Sequence, residues 1–271
     1  MMPLLTPASV RALLAEHGLH PSRRLGQHFL ADPNTARRIV RLAGVDAGDR
    51  VLEIGPGLGS LTLALREHGC DVLALEVDPR LARVLEDVVA GDDGVRVVTG
   101  DALTVDLGAL LGAEPWWCVS NLPYNVATPV VIRLLEEAPS VQRALVMVQR
   151  EVADRLVASP GSSAYGAPSV RVAYDAEARL VGTVPRAVFF PVPKVDSALV
   201  ELVRRDAPPV DVPSRERLFE LVRAGFAHRR KMLRRSLSAL LGDRSADLLS
   251  AAGIDPGARA ESLGLPEWAA L

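Results

Sequence analysis

Asn121-Leu122-Pro123-Tyr124 sets an amide, a proline and a phenol side by side in the chain. Such a set can present an aromatic amine for alkyl transfer. The lone pair of an exocyclic amino group on a planar base is delocalised into the ring and is poorly nucleophilic. The Asn121 side-chain oxygen and the Leu122 carbonyl could accept its two N–H bonds. That would favour a more tetrahedral nitrogen, its lone pair aimed at an electrophilic methyl. Pro123 stiffens the turn. Tyr124 offers a face on which an extruded base could stack, worth roughly 1–3 kcal/mol. Asn has no useful pKa, so catalysis would come from positioning rather than proton transfer. A proline turn with a packed tyrosine would show the same residues, so the motif gains weight only from its surroundings.

Three other segments supply them. Glu53-Ile54-Gly55-Pro56-Gly57-Leu58-Gly59 is a glycine-rich turn, where Gly55 and Gly57 would let a ligand approach the backbone. Its G-x-G-x-G spacing differs from the G-x-G-x-x-G of nicotinamide and flavin sites. Glu76 ends the next apolar run and could accept hydrogen bonds from both hydroxyls of a ribose, while repelling a 2′-phosphate. Asp101, in Gly100-Asp101-Ala102, could accept from an adenine amino group or simply cap the next helix.

These residues need elements to hold them. Strand-like runs cover Arg50–Ile54, Asp71–Val77, Val95–Thr99, Trp116–Ser120, Ala144–Gln149, Ala178–Val184 and Ala198–Arg204. Helical patterns cover Leu58–Glu67, Pro79–Val89 and Thr128–Glu137. Alternation of this kind predicts an α/β fold, a doubly wound and mostly parallel sheet. Gly55, Glu76, Asp101 and Asn121 then fall at the carboxyl ends of successive strands, which line one crevice in such a sheet. The stretch from Asp206 to Pro213 reads as a linker, and Ser214 as the N-cap of a helix through Phe226. Residues 1–205 are thus expected to form the sheet domain and residues 206–271 a small helical one.

Composition narrows the class. Hydrophobic residues make up 49% of the 271 and charged residues 24%, enough for a sizeable core. No apolar run is long enough to span a bilayer and no signal-like pattern opens the chain, so a cytoplasmic protein without a membrane partner is expected. Cys70 and Cys118 lack metal-type spacing and the histidines are scattered, so no metal is expected. The net charge is −2, yet Leu221–Gly242 holds Arg223, Arg229, Arg230, Lys231, Arg234 and Arg235 with no acidic residue. That segment, read as a basic helix, could grip phosphates, as could Arg23, Arg24, Arg37, Arg38 and Arg41. Such a grip weakens steeply with salt.

With these segments in view, the sequence resembles the ribosomal RNA adenine N6-methyltransferases, and within them the small-subunit dimethyladenosine transferases. The likeness runs from Leu25 to about Leu240. It rests on Leu25–Leu30, Glu53–Gly57, Gly100–Ala102, Asn121–Asn125, Phe189–Ser197 and the basic run Phe226–Leu237. It implies a Rossmann-like domain with a seven-stranded sheet, helices on both faces, and an all-helical C-terminal domain. It implies S-adenosylmethionine as methyl donor and S-adenosylhomocysteine as product. Gln27, His28 and Leu30 would cover the cofactor, with Gly55, Gly57, Glu76, Asp101 and Asn121 completing its site. His28 stands where the family usually has Asn. Phe189 would sandwich the target adenine opposite Tyr124, with Phe190 beside it as the residue most easily confused with it.

The implied reaction places two methyls on each of two adjacent adenines near the 3′ end of 16S rRNA, in a partly assembled small subunit and with a role in its biogenesis. The implied RNA-binding set is Arg229, Arg230, Lys231, Arg234 and Arg235, and the chain is expected to be monomeric. Two other readings stand beside this one. A 23S rRNA methyltransferase conferring macrolide resistance would commonly carry Ile after the motif Asn and Ser-Thr after the Tyr, whereas this chain has Leu122 and Ala127-Thr128. A non-catalytic ribosome-assembly or transcription factor on the same fold would not need intact cofactor and catalytic motifs.

Overall fold

The structure, a computed structural model, describes residues 2–22, 25–228 and 230–271. Arg23, Arg24 and Arg229, named above as phosphate contacts, lie outside the described residues. The chain forms two compact units, Met1–Ala153 with Arg179–Arg204, and Asp154–Ala178 with Arg205–Leu271. The linear boundary near residue 206 is therefore one of three crossings. The sequence pattern gave no sign that Asp154–Ala178 joins the C-terminal segment.

The first unit is built on strands β1 (Phe29–Leu30), β2 (Arg50–Ile54), β3 (Asp71–Glu76), β4 (Val95–Thr99), β5 (Trp116–Asn121), β6 (Val141–Gln149), β7 (Ala176–Val184), β8 (Phe189–Phe190) and β9 (Ser197–Arg204). Seven of them form one sheet in the order β4-β3-β2-β5-β6-β9-β7. Strands β2 to β6 pair in parallel, and β9 runs antiparallel to β6, from Gln149 opposite Ser197 to Arg143 opposite Val203. The interior strands are nearly continuous apolar runs, because helices cover both faces. The chain moves outward from β2 to β4, then returns to β5 on the other side of β2. That reversal opens a crevice at the carboxyl ends of β2 and β5, where Gly55 and Asn121 lie.

Helix Pro79–Val88 shows why these segments start where they do: Pro79 stands in its first turn and the Asp78 side chain accepts from Arg80 N. The helices Ser60–Glu67 and Ala127–Glu137 follow their expected ranges to within two residues. The pairing of β1 with β8, Phe29 opposite Phe190 and Leu30 opposite Phe189, was not foreseen, since two-residue strands leave no periodic signal. No helix among the described residues is long and apolar enough to cross a membrane.

The second unit packs Phe219, Val222, Leu233, Leu237, Leu249 and Trp268 into a core of its own. Helix Arg215–Ala227 begins at Ser214, whose hydroxyl accepts from Arg217 N at 3.1 Å. The basic segment is not the single helix expected. The long helix stops at Ala227, Lys231 N turns back to His228 O, and a four-residue helix, Leu233–Ser236, follows. The break lets Leu233 and Leu237 reach the core while Arg230, Lys231, Arg234 and Arg235 stay exposed.

Gly225 marks the tightest approach in this core: a Cβ there would lie 2.4 Å from Trp268 Cη2, and Trp268 is fully buried. Helix propensity alone would make Gly225→Ala stabilising by roughly 0.5–1 kcal/mol. Overpacking should reverse the sign, for a net loss of about 1–3 kcal/mol in urea denaturation followed by tryptophan fluorescence. A stabilised variant would mean that the helix yields freely to Trp268.

Candidate active site

The crevice is lined by five stretches of chain. These are Leu25–Leu30, the turn from Glu53 to Leu58, Leu75–Val77, Gly100–Ala102 and Asn121–Tyr124. All the cofactor residues expected from sequence, namely Gln27, His28, Leu30, Gly55, Gly57, Glu76, Asp101 and Asn121, meet there. Two glycines make the approach possible. Gly55 has φ +72°, and a Cβ on it would sit 3.2 Å from Pro123 Cδ. Gly57 has φ +58°, and a Cβ would collide with the Phe29 ring at 2.9 Å. The glycine turn thus closes against Pro123 on one side and against β1 on the other.

Glu76 is buried at the end of β3. Gly57 N donates to its Oε2 and Asp78 N to its Oε1, both at 3.0 Å. Burial pushes this carboxyl's pKa up, and the Asp78 and Gly57 N–H groups oppose that. Each oxygen keeps a further lone pair, the capacity needed to accept from a vicinal diol. Asp101 is exposed and uses Oδ1 to accept from Leu103 N at 2.8 Å, closing a local turn, while the cap of the next helix, Leu107–Leu111, is Asp106. Arg133 holds that turn by donating to Ala102 O and Val105 O. Gln27 spends its side-chain oxygen on Ser22 N at 2.7 Å, and the Leu30 carbonyl is taken by Ser60 Oγ.

Asn121 ends β5 half-buried, and its Nδ2 donates to the backbone carbonyl of His28 at 3.2 Å. A carbonyl can only accept, so this contact fixes the amide's orientation and leaves Oδ1 as a free-facing acceptor. His28 is occupied in two further ways. Its Nδ1 lies 2.7 Å from Pro191 O, so Nδ1 carries the proton. Its ring stacks on Tyr124 with centroids 5.4 Å apart and planes at 28°. The Tyr124 hydroxyl meets Ser197 Oγ at 2.6 Å, and burial pushes the phenol's pKa up, which keeps it neutral. Leu122 is buried, with its N–H on Met147 O, and Pro123 O accepts from Val126 N.

One expected site residue lies apart from the others. Phe189 is 3% exposed, belongs to the apolar core and does not line the crevice. Its place opposite Leu30 in the β1–β8 pair makes it a core residue. Phe190 is half-buried, with the Arg11 guanidinium 5.6 Å over its ring. The ring found against Tyr124 is His28. The basic residues Arg230, Lys231, Arg234 and Arg235 belong to the other unit. Arg37 is committed to Glu67 at 2.7 Å and Arg38 donates to Thr183 O at 3.0 Å.

Sequence reasoning passed over Glu53 as a site residue. It lines the crevice from β2 with only 1% exposure, and Thr62 Oγ1 donates to its Oε2 at 2.6 Å. Burial, opposed by the Thr62 hydrogen bond and reinforced by the nearby Glu76 charge, raises its pKa to about 8. A lone carboxylate inside an apolar strand run was the available signal.

Comparison with known proteins places this geometry. A family profile described as ribosomal RNA adenine dimethylase matches residues 19–270. A Thermobifida fusca protein named ribosomal RNA small subunit methyltransferase A is 52% identical over 99% of this chain and 95% of its own. Its namesake from Cutibacterium acnes is 50% identical over 98% and 92%. Among solved structures, the 23S rRNA methyltransferase ErmE is similar at TM-score 0.68 and 31% identity, over 89% of this chain and 97% of that one. A dimethyladenosine transferase from Plasmodium falciparum shares the fold at TM-score 0.75 and 24% identity, over 90% and 95%.

The buried Glu53 generates a pH prediction. Between the ordinary carboxyl range and pH about 8 the folded state holds a proton that the unfolded state has lost, so stability falls as pH rises through that window. Glu53→Gln keeps an acceptor for Thr62 and removes the ionisation. Urea denaturation at pH 5 and pH 9 should show the variant gaining on wild type at the higher pH. An unchanged difference between the two pH values would mean that Glu53 does not carry this proton.

Proposed function

The chain belongs to the ribosomal RNA adenine dimethylase family, and from that premise we propose that it uses S-adenosylmethionine to dimethylate N6 of two adjacent adenines in the 3′-terminal hairpin loop of 16S rRNA. The partly assembled small subunit is the substrate. The observation that carries this reading is the orientation of Asn121, with its nitrogen spent on His28 O and its oxygen left to accept from an amino group.

The crevice suits the cofactor chemically. Glu76 offers acceptor capacity for the ribose hydroxyls, Asp101 has a second carboxylate oxygen for an adenine amino group, and the glycine turn admits close backbone approach. S-adenosylmethionine supplies an electrophilic sulfonium methyl. The rest of the work falls to the chain. Tyr124 stacks the extruded base, its hydroxyl held by Ser197. Asn121 Oδ1 and the Leu122 carbonyl accept from N6 and turn its lone pair outward. No strong base is needed, because a methylated N6 ammonium is acidic enough to lose its proton to water. After the first transfer one N–H remains for an acceptor, so the same arrangement serves the second.

The large-subunit reading is weaker. Likeness to ErmE stands at 31% identity, against about 50% for whole-length relatives named for the small subunit. Labelled methyl transfer into unmodified small subunits, followed by nucleoside mass spectrometry, tests the proposal. Dimethyladenosine should appear at two adjacent loop positions. Asn121→Ala should bind subunits yet transfer about 100-fold more slowly, the scale of a misplaced reacting group. No incorporation into any RNA would favour the assembly-factor reading.

A further inference from the structure

The loop between β8 and β9 exposes apolar side chains beside the base-handling residues. Val192 is 58% exposed, the most among the large apolar side chains of the described residues, and Val195 is 43% exposed. The loop is pinned along its length. Pro191 O accepts from His28 Nδ1 at 2.7 Å. Arg186 donates through its backbone N to Asp196 Oδ1 at 2.8 Å and through Nη1 to Lys194 O at 3.1 Å. Arg150 N donates to Asp196 O at 3.1 Å, and Ser197 Oγ meets the Tyr124 hydroxyl at 2.6 Å. Pro193, between the valines, is buried. A loop held this firmly cannot fold Val192 and Val195 away from water, so their exposure is built in.

A pinned loop with apolar tips suits one kind of partner at this place. Its two ends touch His28 and Tyr124, the stacked pair that lines the crevice. Two valines offer an area comparable to one base face, far less than the few hundred Å² of apolar surface typical of a protein-docking patch. Lys194, exposed between them in the chain, offers a cation for a phosphate. Extruding a base costs a few kcal/mol. Apolar side chains wedged at a base step unstack it, and the contacts they gain offset that cost.

We propose that Val192 and Val195 form a wedge that packs against the nucleotide neighbouring the extruded adenine, replacing its lost stacking partner, while Lys194 meets a flanking phosphate. The wedge rests on the adenine-methylation reading above. It makes this loop a determinant of base extrusion, distinct from the residues that hold the base once extruded.

The test uses the double variant Val192→Ser, Val195→Ser, whose exposed positions leave the core untouched. Unmethylated small subunits are reconstituted with 16S rRNA carrying 2-aminopurine at a target position, so that fluorescence reports extrusion. Wild type should raise the fluorescence. The variant should bind subunits but give a rise several-fold smaller, and its single-turnover methyl transfer to unmodified subunits should fall about tenfold, the equivalent of about 1.4 kcal/mol in barrier. A wild-type rise and a wild-type rate in the variant would overturn the wedge alone. A wild-type protein that methylates no subunit adenine would overturn the functional reading, and the wedge with it.

Discussion

The hydrogen bond from Asn121 Nδ2 to the His28 carbonyl joins the end of the fifth strand to the arm that precedes the first. Its importance lies in its direction. An amide side chain can turn either face to a ligand at little cost, and only a partner that cannot donate decides between them. Here a backbone carbonyl does so, and the oxygen is left as an acceptor. The same arm residue carries the ring stacked on Tyr124 and the N–H on Pro191 O. One residue thus orients the acceptor, supports the stacking face and ties down the β8–β9 loop. Such preorganisation lowers a barrier without proton transfer, because the cost of ordering is met during folding.

A second layer of constraint is electrostatic. Glu53 and Glu76 lie on adjacent parallel strands, both nearly out of water. Their surroundings differ. Glu76 receives two backbone N–H groups, which also lock the glycine turn to the β3 end. Glu53 has a hydroxyl and an apolar wall, and its pKa rises to about 8. Near neutral pH the pair therefore need not hold two full charges.

Much of this was legible in the sequence because it depends on short-range pattern. Apolar runs with strand length, alternating with helical periods, carry the parallel sheet, and turn residues at strand ends carry the crevice. The seven main strands fell within a few residues of expectation. What escaped notice depends on contacts between distant residues. Phe189 had the residue type and the motif for base stacking, yet the β1–β8 pairing buries it. The role of His28 lies in where its carbonyl and ring meet Asn121 and Tyr124, far along the chain. The basic run looked like one helix because its composition favours helix, but the long helix ends at Ala227 and a separate short helix, Leu233–Ser236, carries Leu233 into the core. Asp154–Ala178 carries no compositional mark of belonging with the C-terminal segment.

Asn121→Asp tests the orientation of Asn121 most directly. Asp keeps an oxygen acceptor for the amino group but cannot donate to the His28 carbonyl, and turns a carboxylate oxygen toward it. The quantity to measure is the single-turnover rate of methyl transfer to unmodified small subunits at saturating S-adenosylmethionine. Loss of one partner of a part-buried hydrogen bond, about 1–3 kcal/mol, predicts a fall of about 5- to 160-fold. A rate equal to that of the wild type would show that the acceptor alone suffices and that the bond to His28 has no part in catalysis.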